Sequence, residues 1–141
     1  MIVYVETSAL VTLLIREAGS SDVDLLWDGA DQILTSRISE VESRAALAAA
    51  HRAGRISGAD HSTAKANLGR RLRQVQLVEL TREVVRVAGD VAEQHALRAY
   101  DAVHLASAIA VRGPALVVAT FDRELRRAAE AERLSLSATA G

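Results

Sequence analysis

The sequence predicts an α/β fold with a parallel sheet of four to five strands flanked by helices, and two observations lead to it. Short apolar segments typical of buried strands alternate along the chain with longer segments of helical periodicity. No internal repeat, low-complexity run or linker interrupts this alternation, which favours a single domain over residues 1–141. A chain of 141 residues can bury a substantial core without disulfide bonds.

Four segments match buried strands, and a fifth short segment is a candidate edge strand. They are rich in Val, Ile and Leu and are bounded by turn signals or by the start of a helical pattern. The only proline, Pro114, lies where the fourth strand begins, a position that proline tolerates. The predicted strands cover residues 2–5, 32–35, 75–80 and 116–120, and the candidate edge strand covers residues 134–136.

Seven segments between and after these strands show helical periodicity. Ser20 or Ser21 can cap the second, Gly54 is a suitable C-terminal stop for the third, and Ser57 begins the fourth. Strands that alternate with helices in this way form a parallel sheet covered on both faces. The predicted helices cover residues 8–16, about 20–27, 38–53, 57–73, 81–92, 101–111 and 121–132.

The composition excludes several classes of chemistry. The chain has no cysteine, so it has no disulfide bond, no thiolate metal site and no thiol nucleophile. Its longest apolar runs are too short to span a membrane and its N-terminus lacks a signal-peptide pattern, so we expect a cytoplasmic protein. The net charge of −1 favours no partner, and the predominance of Arg over Lys reflects base composition more than function.

Two acidic residues directly follow predicted strands. Glu6 follows the first strand and Asp122 follows the fourth. Binding sites of open α/β sheets form at the carboxyl ends of the strands, so we expect both side chains at the same edge. A carboxylate at the end of a buried strand is costly to bury unless it is paired or bound to a cation. Glu6 and Asp122 are therefore candidates for one shared site.

Helical geometry adds two further acidic candidates. Glu42 lies within the apolar face of the long third helix, whereas Glu40 points the opposite way and is predicted to be solvated. Asp101 lies in the first turn of its helix, on the face that carries Leu105 and Ala108. The apolar face of the third helix is predicted to consist of Ile38, Val41, Ala45 and Ala49.

Each candidate also has a purely structural interpretation. Asp101 and Asp122 could be helix N-caps, a common role for aspartate. Glu6 could be an exposed turn residue, and Glu42 could reach solvent from the edge of its stripe. If the four do cluster, they repel one another and cannot all ionise without a cation. Ligation by oxygen atoms alone is typical of Mg²⁺ or Mn²⁺.

Four ordered motifs connect the chain to a known family: YVETSAL, TSRISEVESRAAL, RAYDAVHLASA and TFDRELRRAA. They resemble the motifs of the PIN domain, and more narrowly those of the VapC-type toxins of bacterial type II toxin–antitoxin pairs. The resemblance covers nearly the whole chain, from Ile2 to about Ala129. It implies a three-layer PIN-like fold and an RNA endonuclease that depends on Mg²⁺ or Mn²⁺. It also implies a homodimer that a small cognate antitoxin neutralises.

The resemblance assigns residues of the site as well. The family normally has aspartate at the position of Glu6, and the extra methylene implies a metal ligand with imperfect geometry. The resemblance therefore implies an attenuated ribonuclease, with a catalytically silent PIN-like binding module as the alternative. The catalytic and metal-binding positions fall on Glu6, Glu42, Asp101 and Asp122. Supporting positions beside them are Thr7, Ser8, His104 and Thr120.

His104 and the hydroxyl residues of the first motif need separate consideration. His104 lies three residues after Asp101 on the same helix face, and we expect it to pack or form a hydrogen bond beside the site rather than bind metal. Thr7 and Ser8 have no histidine near them in sequence that could activate them as nucleophiles.

A response-regulator receiver is excluded as an alternative class of protein. It needs two acids after the first strand and a lysine after the last, whereas the chain has one acid there and its only lysine, Lys65, lies on a predicted helix.

Three further groups have predicted structural roles. Three histidines on polar helix faces are expected to be exposed: His51, His61 and His95. A basic run is interpreted as a solvated helix face, with contact to RNA phosphates as the alternative: Lys65, Arg70, Arg71 and Arg73. Apolar residues of the first two helices are predicted to be mostly core, with a dimer seam or antitoxin groove as the alternative: Leu13, Leu14, Leu25, Leu26 and Trp27.

Overall fold

A computed structural model describes residues 1–138 of the chain and contains a four-stranded parallel sheet. The strands lie in the order β3-β2-β1-β4, so β1 pairs with β2 on one side and with β4 on the other. The predicted α/β class and the parallel sheet are confirmed. The strands are β1 (Ile2–Val5), β2 (Gln32–Ser36), β3 (Gln76–Val78) and β4 (Leu116–Ala119).

Seven helices in the described part of the chain cover the two faces of this sheet. Side chains of β1 alternate between the faces, as the pleat of a strand requires. Val3 and Val5 pack with the first, second and fourth helices, whereas Tyr4 packs with the last three, giving three layers. The helices are α1 (Thr7–Leu14), α2 (Ser20–Gly29), α3 (Ser39–Arg52), α4 (Gly58–Leu72), α5 (Arg82–His95), α6 (Ala99–Ala110) and α7 (Arg123–Ala131).

The ends of several elements differ from the sequence-based expectation. β3 is shorter than predicted, and the predicted edge strand is a single parallel bridge between Leu136 and Val118. α2 is capped by Gly19 rather than by a serine, because the Ser20 hydroxyl donates to the Thr12 carbonyl instead. Gly19 has a φ of 88°, and a Cβ atom there would lie 2.6 Å from the Phe121 ring. Only glycine meets both requirements.

The rotational phase predicted for α3 is wrong. Val41 is 63% exposed, and the other residues of the predicted apolar face are exposed or only partly buried. The face that meets the protein is built instead on small hydroxyl residues and on Leu47 and Ala50. Ser39 is fully buried there because its hydroxyl bonds to Thr35 at 2.7 Å. Hydropathy alone could not identify a buried face that begins with serines.

One of the three histidines predicted to be exposed is buried. His95 is 8% exposed because its Nε2 lies 2.8 Å from Glu132 Oε1 and Arg127 donates to its carbonyl oxygen at 2.8 Å. His51 is exposed as predicted, and His61 is partly buried. His95 therefore joins the C-terminal ends of α5 and α7 instead of facing solvent.

The apolar and basic residues of α1, α2 and α4 mostly match their predicted roles. Leu13 and Trp27 are buried, but Leu25 is 73% exposed and is not a core residue. The residues of the basic run are exposed as predicted except Arg71. Its guanidinium carbon lies 4.8 Å from the centroid of the Trp27 ring, so this side chain packs on the protein. Within residues 1–138, no helix has the length and apolar character that a membrane span requires.

Candidate active site

The strand order places the candidate site between β1 and β4. The chain adds β2 and β3 on one side of β1 and then returns to place β4 on the other, so the strand order reverses between β1 and β4. Open α/β sheets bind ligands in the crevice at this kind of reversal, outside the carboxyl ends of the strands. Glu6 follows β1 directly, and Thr120 follows β4.

Glu6 is a buried carboxylate held by three donors. It is 5% exposed, so the alternative of an exposed turn residue is wrong. Its Oε2 accepts hydrogen bonds from the Ser8 backbone amide at 3.0 Å, from the Ser8 hydroxyl and from the Thr120 hydroxyl at 2.7 Å. Glu6 is also the N-cap of α1. These bonds compensate for the burial of its charge.

Glu42 is brought to the same edge by the first turn of α3. The Thr7 hydroxyl donates to Glu42 Oε1 at 2.8 Å, and His104 Nε2 lies 2.6 Å from the same oxygen. Burial opposes ionisation of Glu42, but the hydrogen bond and charge of His104 and the bond from Thr7 outweigh it. The pKa of Glu42 therefore lies below its ordinary value. Glu42 is ionised at neutral pH, whereas Glu40 is exposed as predicted.

His104 connects the two glutamates. It is 1% exposed, and its Nδ1 lies 2.8 Å from the Tyr4 hydroxyl. With a proton on Nε2, the imidazole donates to Glu42, while Nδ1 bonds to the Tyr4 hydroxyl. The same Nε2 lies 3.9 Å from Glu6 Oε1. His104 therefore holds a hydrogen-bonding position beside the carboxylates.

Thr7 does have a histidine beside it in space, which the sequence did not reveal. Its hydroxyl lies 3.1 Å from His104 Nε2. In the tautomer that satisfies Tyr4 and Glu42, Nε2 carries a proton and has no lone pair to accept the proton of Thr7. Thr7 is thus a hydrogen-bond donor to Glu42 rather than an activated nucleophile.

Asp122 combines the structural role and the site position proposed for it. Its Oδ1 caps α7 by accepting from the Leu125 amide at 2.8 Å. Its backbone amide donates to the Thr120 hydroxyl at 3.1 Å, and that hydroxyl donates in turn to Glu6. One threonine therefore links the ends of β1 and β4, and Asp122 Oδ2 is turned toward a different partner.

That partner is Arg98, which also contacts Asp101. Arg98 Nε donates to Asp101 Oδ2 at 3.4 Å, and Arg98 Nη2 lies 3.9 Å from Asp122 Oδ2. Burial and the negative charge of Asp122 raise the pKa of Asp101, and the arginine only partly opposes them. The structural interpretation of Asp101 as the N-cap of α6 is wrong, because Arg98 occupies that position.

The four acidic residues are thus connected through shared partners at one edge of the sheet. His104 joins Glu42 to Glu6, Thr120 joins Glu6 to Asp122, and Arg98 joins Asp122 to Asp101. Arg98, which connects two of the acidic residues, and Tyr4, which bonds to His104, were not singled out from the sequence. Arg98 could have been found by its spacing of three residues from Asp101. Tyr4 had no such signal, since it is one apolar residue of a buried strand.

The donor set has the chemistry of a site for a hard divalent cation. It contains carboxylate oxygens and no thiolate, which is the chemistry that Mg²⁺ and Mn²⁺ prefer. Within residues 1–138, no three or more His, Asp or Glu side chains are already arranged as a metal site. The carboxylate oxygens of the four acidic residues are instead contacted by protein donors, from His104, Ser8, Thr120 and Arg98. The residues fit the cation in kind and in position on the sheet.

Comparison with known proteins defines the class. The PIN domain family model matches residues 3–131, which is most of the chain, and the chain belongs to this family. Ribonuclease VapC45 of Mycobacterium tuberculosis is 47% identical over 130 residues, which is 92% of this chain and 90% of the relative.

Two solved structures share the fold. PAE2754 from Pyrobaculum aerophilum is 25% identical, with a TM-score of 0.69 over 91% of this chain and 87% of that one. A toxin-antitoxin complex from Klebsiella pneumoniae is 16% identical, with a TM-score of 0.61 over 85% of this chain and 86% of that one. The three-layer PIN-like fold that the motifs implied is confirmed.

Proposed function

We propose that this chain is an RNA endonuclease that acts as the toxin of a type II toxin–antitoxin pair. The observation that carries the proposal is the set of four acidic side chains linked through His104, Thr120 and Arg98 at the strand reversal. The identity of 47% to a relative named as a VapC ribonuclease supports the reaction class. PIN-domain ribonucleases as a class depend on a divalent metal ion.

Glu6, Glu42, Asp101 and Asp122 are the residues that would hold the metal, and Mg²⁺ or Mn²⁺ fits their oxygen ligands. When bound, such an ion polarises a phosphate oxygen and lowers the pKa of a water molecule. The acidic residues alone would repel RNA, so the cation also allows the phosphate to approach them.

The protein side chains contribute orientation and proton transfer. Thr7 and His104 both bond to Oε1 of Glu42, which fixes the position of that oxygen. Its lowered pKa keeps it ionised, so it can accept a proton from the attacking water. Asp122 is the other candidate base, although its Oδ1 is occupied by the cap of α7. In-line attack would leave a 5′-phosphate and a 3′-hydroxyl.

A cognate antitoxin, an RNA substrate and a second copy of this chain are the proposed partners. Ribonucleases of this kind meet RNA and antitoxin in the cytoplasm, and we place the protein there. We also propose that residues 1–141 form one domain, since both core clusters pack on one sheet. The rival function is a silent binding module, favoured by the three hydrogen bonds that occupy Oε2 of Glu6.

A cleavage assay with matched variants tests the proposal. RNA is incubated with the protein in EDTA and then with Mg²⁺ or Mn²⁺, and fragments are resolved by length. Cleavage should require metal, Glu42→Gln should abolish it, and Glu40→Gln should leave it intact because Glu40 is an exposed residue two positions before Glu42. Metal-independent cleavage, or equal effects of both variants, would contradict the site. Absence of cleavage by the parent protein with either metal would favour the silent module.

A further inference from the structure

Arg98 occupies a position that arginine seldom fills. It is the N-cap of α6, where Ser, Thr, Asp or Asn normally accepts a hydrogen bond from the first turn. Arginine has no acceptor, and its side chain makes no capping bond here. A residue that contradicts the local preference of a helix terminus calls for another reason, and such exceptions concentrate at functional sites.

The guanidinium of Arg98 lies across two carboxylates from different elements. Nε contacts Asp101 in the first turn of α6, and Nη2 contacts Asp122 after β4. The side chain is 85% exposed, while that of Asp101 is 14% exposed. The arginine therefore covers the acidic pair from the solvent side and is held by these ionic contacts rather than by packing. Exposed ionic contacts are weak and exchange readily.

We propose that Arg98 is a positioning residue that serves two anions in turn. In the metal-free protein it partly neutralises Asp101 and Asp122. Once a divalent cation takes over these carboxylates, the guanidinium turns to a phosphate of the RNA. This inference rests on the proposed ribonuclease function of the same site.

Competition for the same oxygens is the physical basis of the first step. Arg98 points its donors at the Oδ2 atoms of Asp101 and Asp122, which are atoms that a metal ion would need. A guanidinium and a metal ion repel each other and compete for the same carboxylate charge. We therefore expect metal binding to displace the arginine from its long contacts, and its exposure allows it to move without disturbing the core.

Phosphate recognition is the basis of the second step. A guanidinium presents parallel N–H donors that match two oxygens of a phosphate, and it stays charged at every pH of interest. The displaced Arg98 is left at the rim of an acidic site that an anionic polymer must enter. An arginine at that rim offsets the repulsion where the RNA approaches.

Metal titration of the protein tests the first step. Melting temperature in EDTA and Mn²⁺ affinity by calorimetry are measured for the parent protein, Arg98→Gln and Arg98→Lys. Arg82→Gln is the matched control, since Arg82 is an exposed arginine at the start of α5. Arg98→Gln should lower the melting temperature in EDTA by about 1–2 °C and tighten Mn²⁺ binding about two- to fivefold, because a weak competing ion pair is gone. Arg98→Lys should lie near the parent.

Steady-state cleavage of a short RNA tests the second step. Arg98→Gln should raise KM about fivefold and leave kcat within about twofold of the parent, because a rim contact contributes mainly to binding. Arg98→Lys should recover only part of the loss, because lysine keeps the charge but lacks the two parallel donors, and Arg82→Gln should change neither parameter. Unchanged Mn²⁺ affinity or unchanged KM in Arg98→Gln would overturn the proposal while the ribonuclease function stands. A parent protein that neither binds Mn²⁺ nor cleaves RNA would overturn both.

Discussion

The two halves of the acidic site are held by different kinds of partner. The inner pair, Glu6 and Glu42, is bound by Thr120 and His104, which are each 1% exposed. The outer pair, Asp101 and Asp122, is bridged by Arg98, a charged side chain that is 85% exposed. The carboxylates that we propose as metal ligands are thus held in two ways within one site.

We call the inner pair, Glu6 and Glu42 with their buried partners, the prepared half of the site. The outer pair, Asp101 and Asp122 with Arg98, is the exchangeable half. Buried hydrogen bonds act at low dielectric, and breaking one leaves an unsatisfied group, so the inner pair is fixed in place. The exposed ion pairs of the outer half are screened by water and salt, so they can be given up when another cation arrives. We therefore expect the inner pair to fix the geometry of a bound cation and the outer pair to change its contacts when ligands bind.

The length of Glu6 gives the sharpest test of the prepared half. Glu6→Asp shortens the side chain by one methylene at unchanged charge, which withdraws the carboxylate from Ser8 and Thr120 toward the strand end. We expect kcat for RNA cleavage to rise by up to about a hundredfold, since misplacement of about 1 Å can cost that much. Parent and variant are compared on the same RNA with Mg²⁺ and with Mn²⁺.

With Mn²⁺, the difference in kcat between the parent protein and Glu6→Asp should be smaller than with Mg²⁺, because we expect Mn²⁺ to tolerate distorted coordination better. Metal affinity should change less than kcat, as a carboxylate is present in both. A Glu6→Asp variant that is no faster than the parent would show that Glu6 is a competent ligand, and that the prepared half is correctly built as it stands.

Removal of His104 should damage the prepared half and leave the exchangeable half intact. His104→Ala takes a donor from Glu42 and leaves the buried Tyr4 hydroxyl without its partner. We expect activity to fall about 10–100-fold, the range found when residues that orient metal ligands are lost. His51→Ala is the control, because His51 is exposed on α3. Equal activity of the two variants would show that Glu42 needs no orienting partner.

The smallest effect concerns the electrostatics of the exchangeable half. Because the pKa of Asp101 is raised in the folded protein, its ionisation weakens the fold, and this weakening grows as pH rises through the folded pKa. Asp101→Asn should therefore raise the melting temperature in EDTA at pH 7, by about 2 °C. At about pH 3, below the ordinary pKa of aspartate, the gain should vanish.

In the same experiment, we expect ionisation of Glu42 to change the stability of the fold in the opposite direction from ionisation of Asp101. Its folded pKa is lowered, so its contribution to stability is present above the unfolded pKa and is lost as pH falls through the folded pKa. Glu42→Gln should thus cost stability at pH 7 and little at low pH. Thermal melts of both variants across this pH range provide the comparison, and a destabilising Asp101→Asn at pH 7 would contradict the assigned repulsion.

Patterns of neighbouring residues in the sequence predicted much of this structure. Contacts between residues that are far apart in the sequence could not be predicted from such patterns. The alternation of strands and helices predicted the sheet, and of the two alternatives left open for Glu6 the structure shows the buried carboxylate with partners. The phase of α3 failed because Ser39 and Ser43 face the interior while Val41 faces solvent. His95 was misplaced because its partner, Glu132, lies 37 positions away.

The same separation limited the prediction of the candidate site. Glu6 and Asp122 could be placed at one edge by topology alone, but the residues that link them could not. Tyr4 meets His104 across 100 positions, and Thr120 meets Glu6 across 114. Such contacts depend on how the layers pack, which a single sequence does not encode in any local pattern.

The pairing of β1 with β4 has a consequence for the order in which the molecule becomes active. A chain is synthesised from its N-terminus, and Glu6 emerges long before its neighbours from β4 and α7. A nascent chain that ends before β4 has no Thr120 to hold Glu6 and no Asp122 to complete the acidic edge. The ribosome that makes this protein is therefore not exposed to a completed nuclease until nearly the entire fold has been translated.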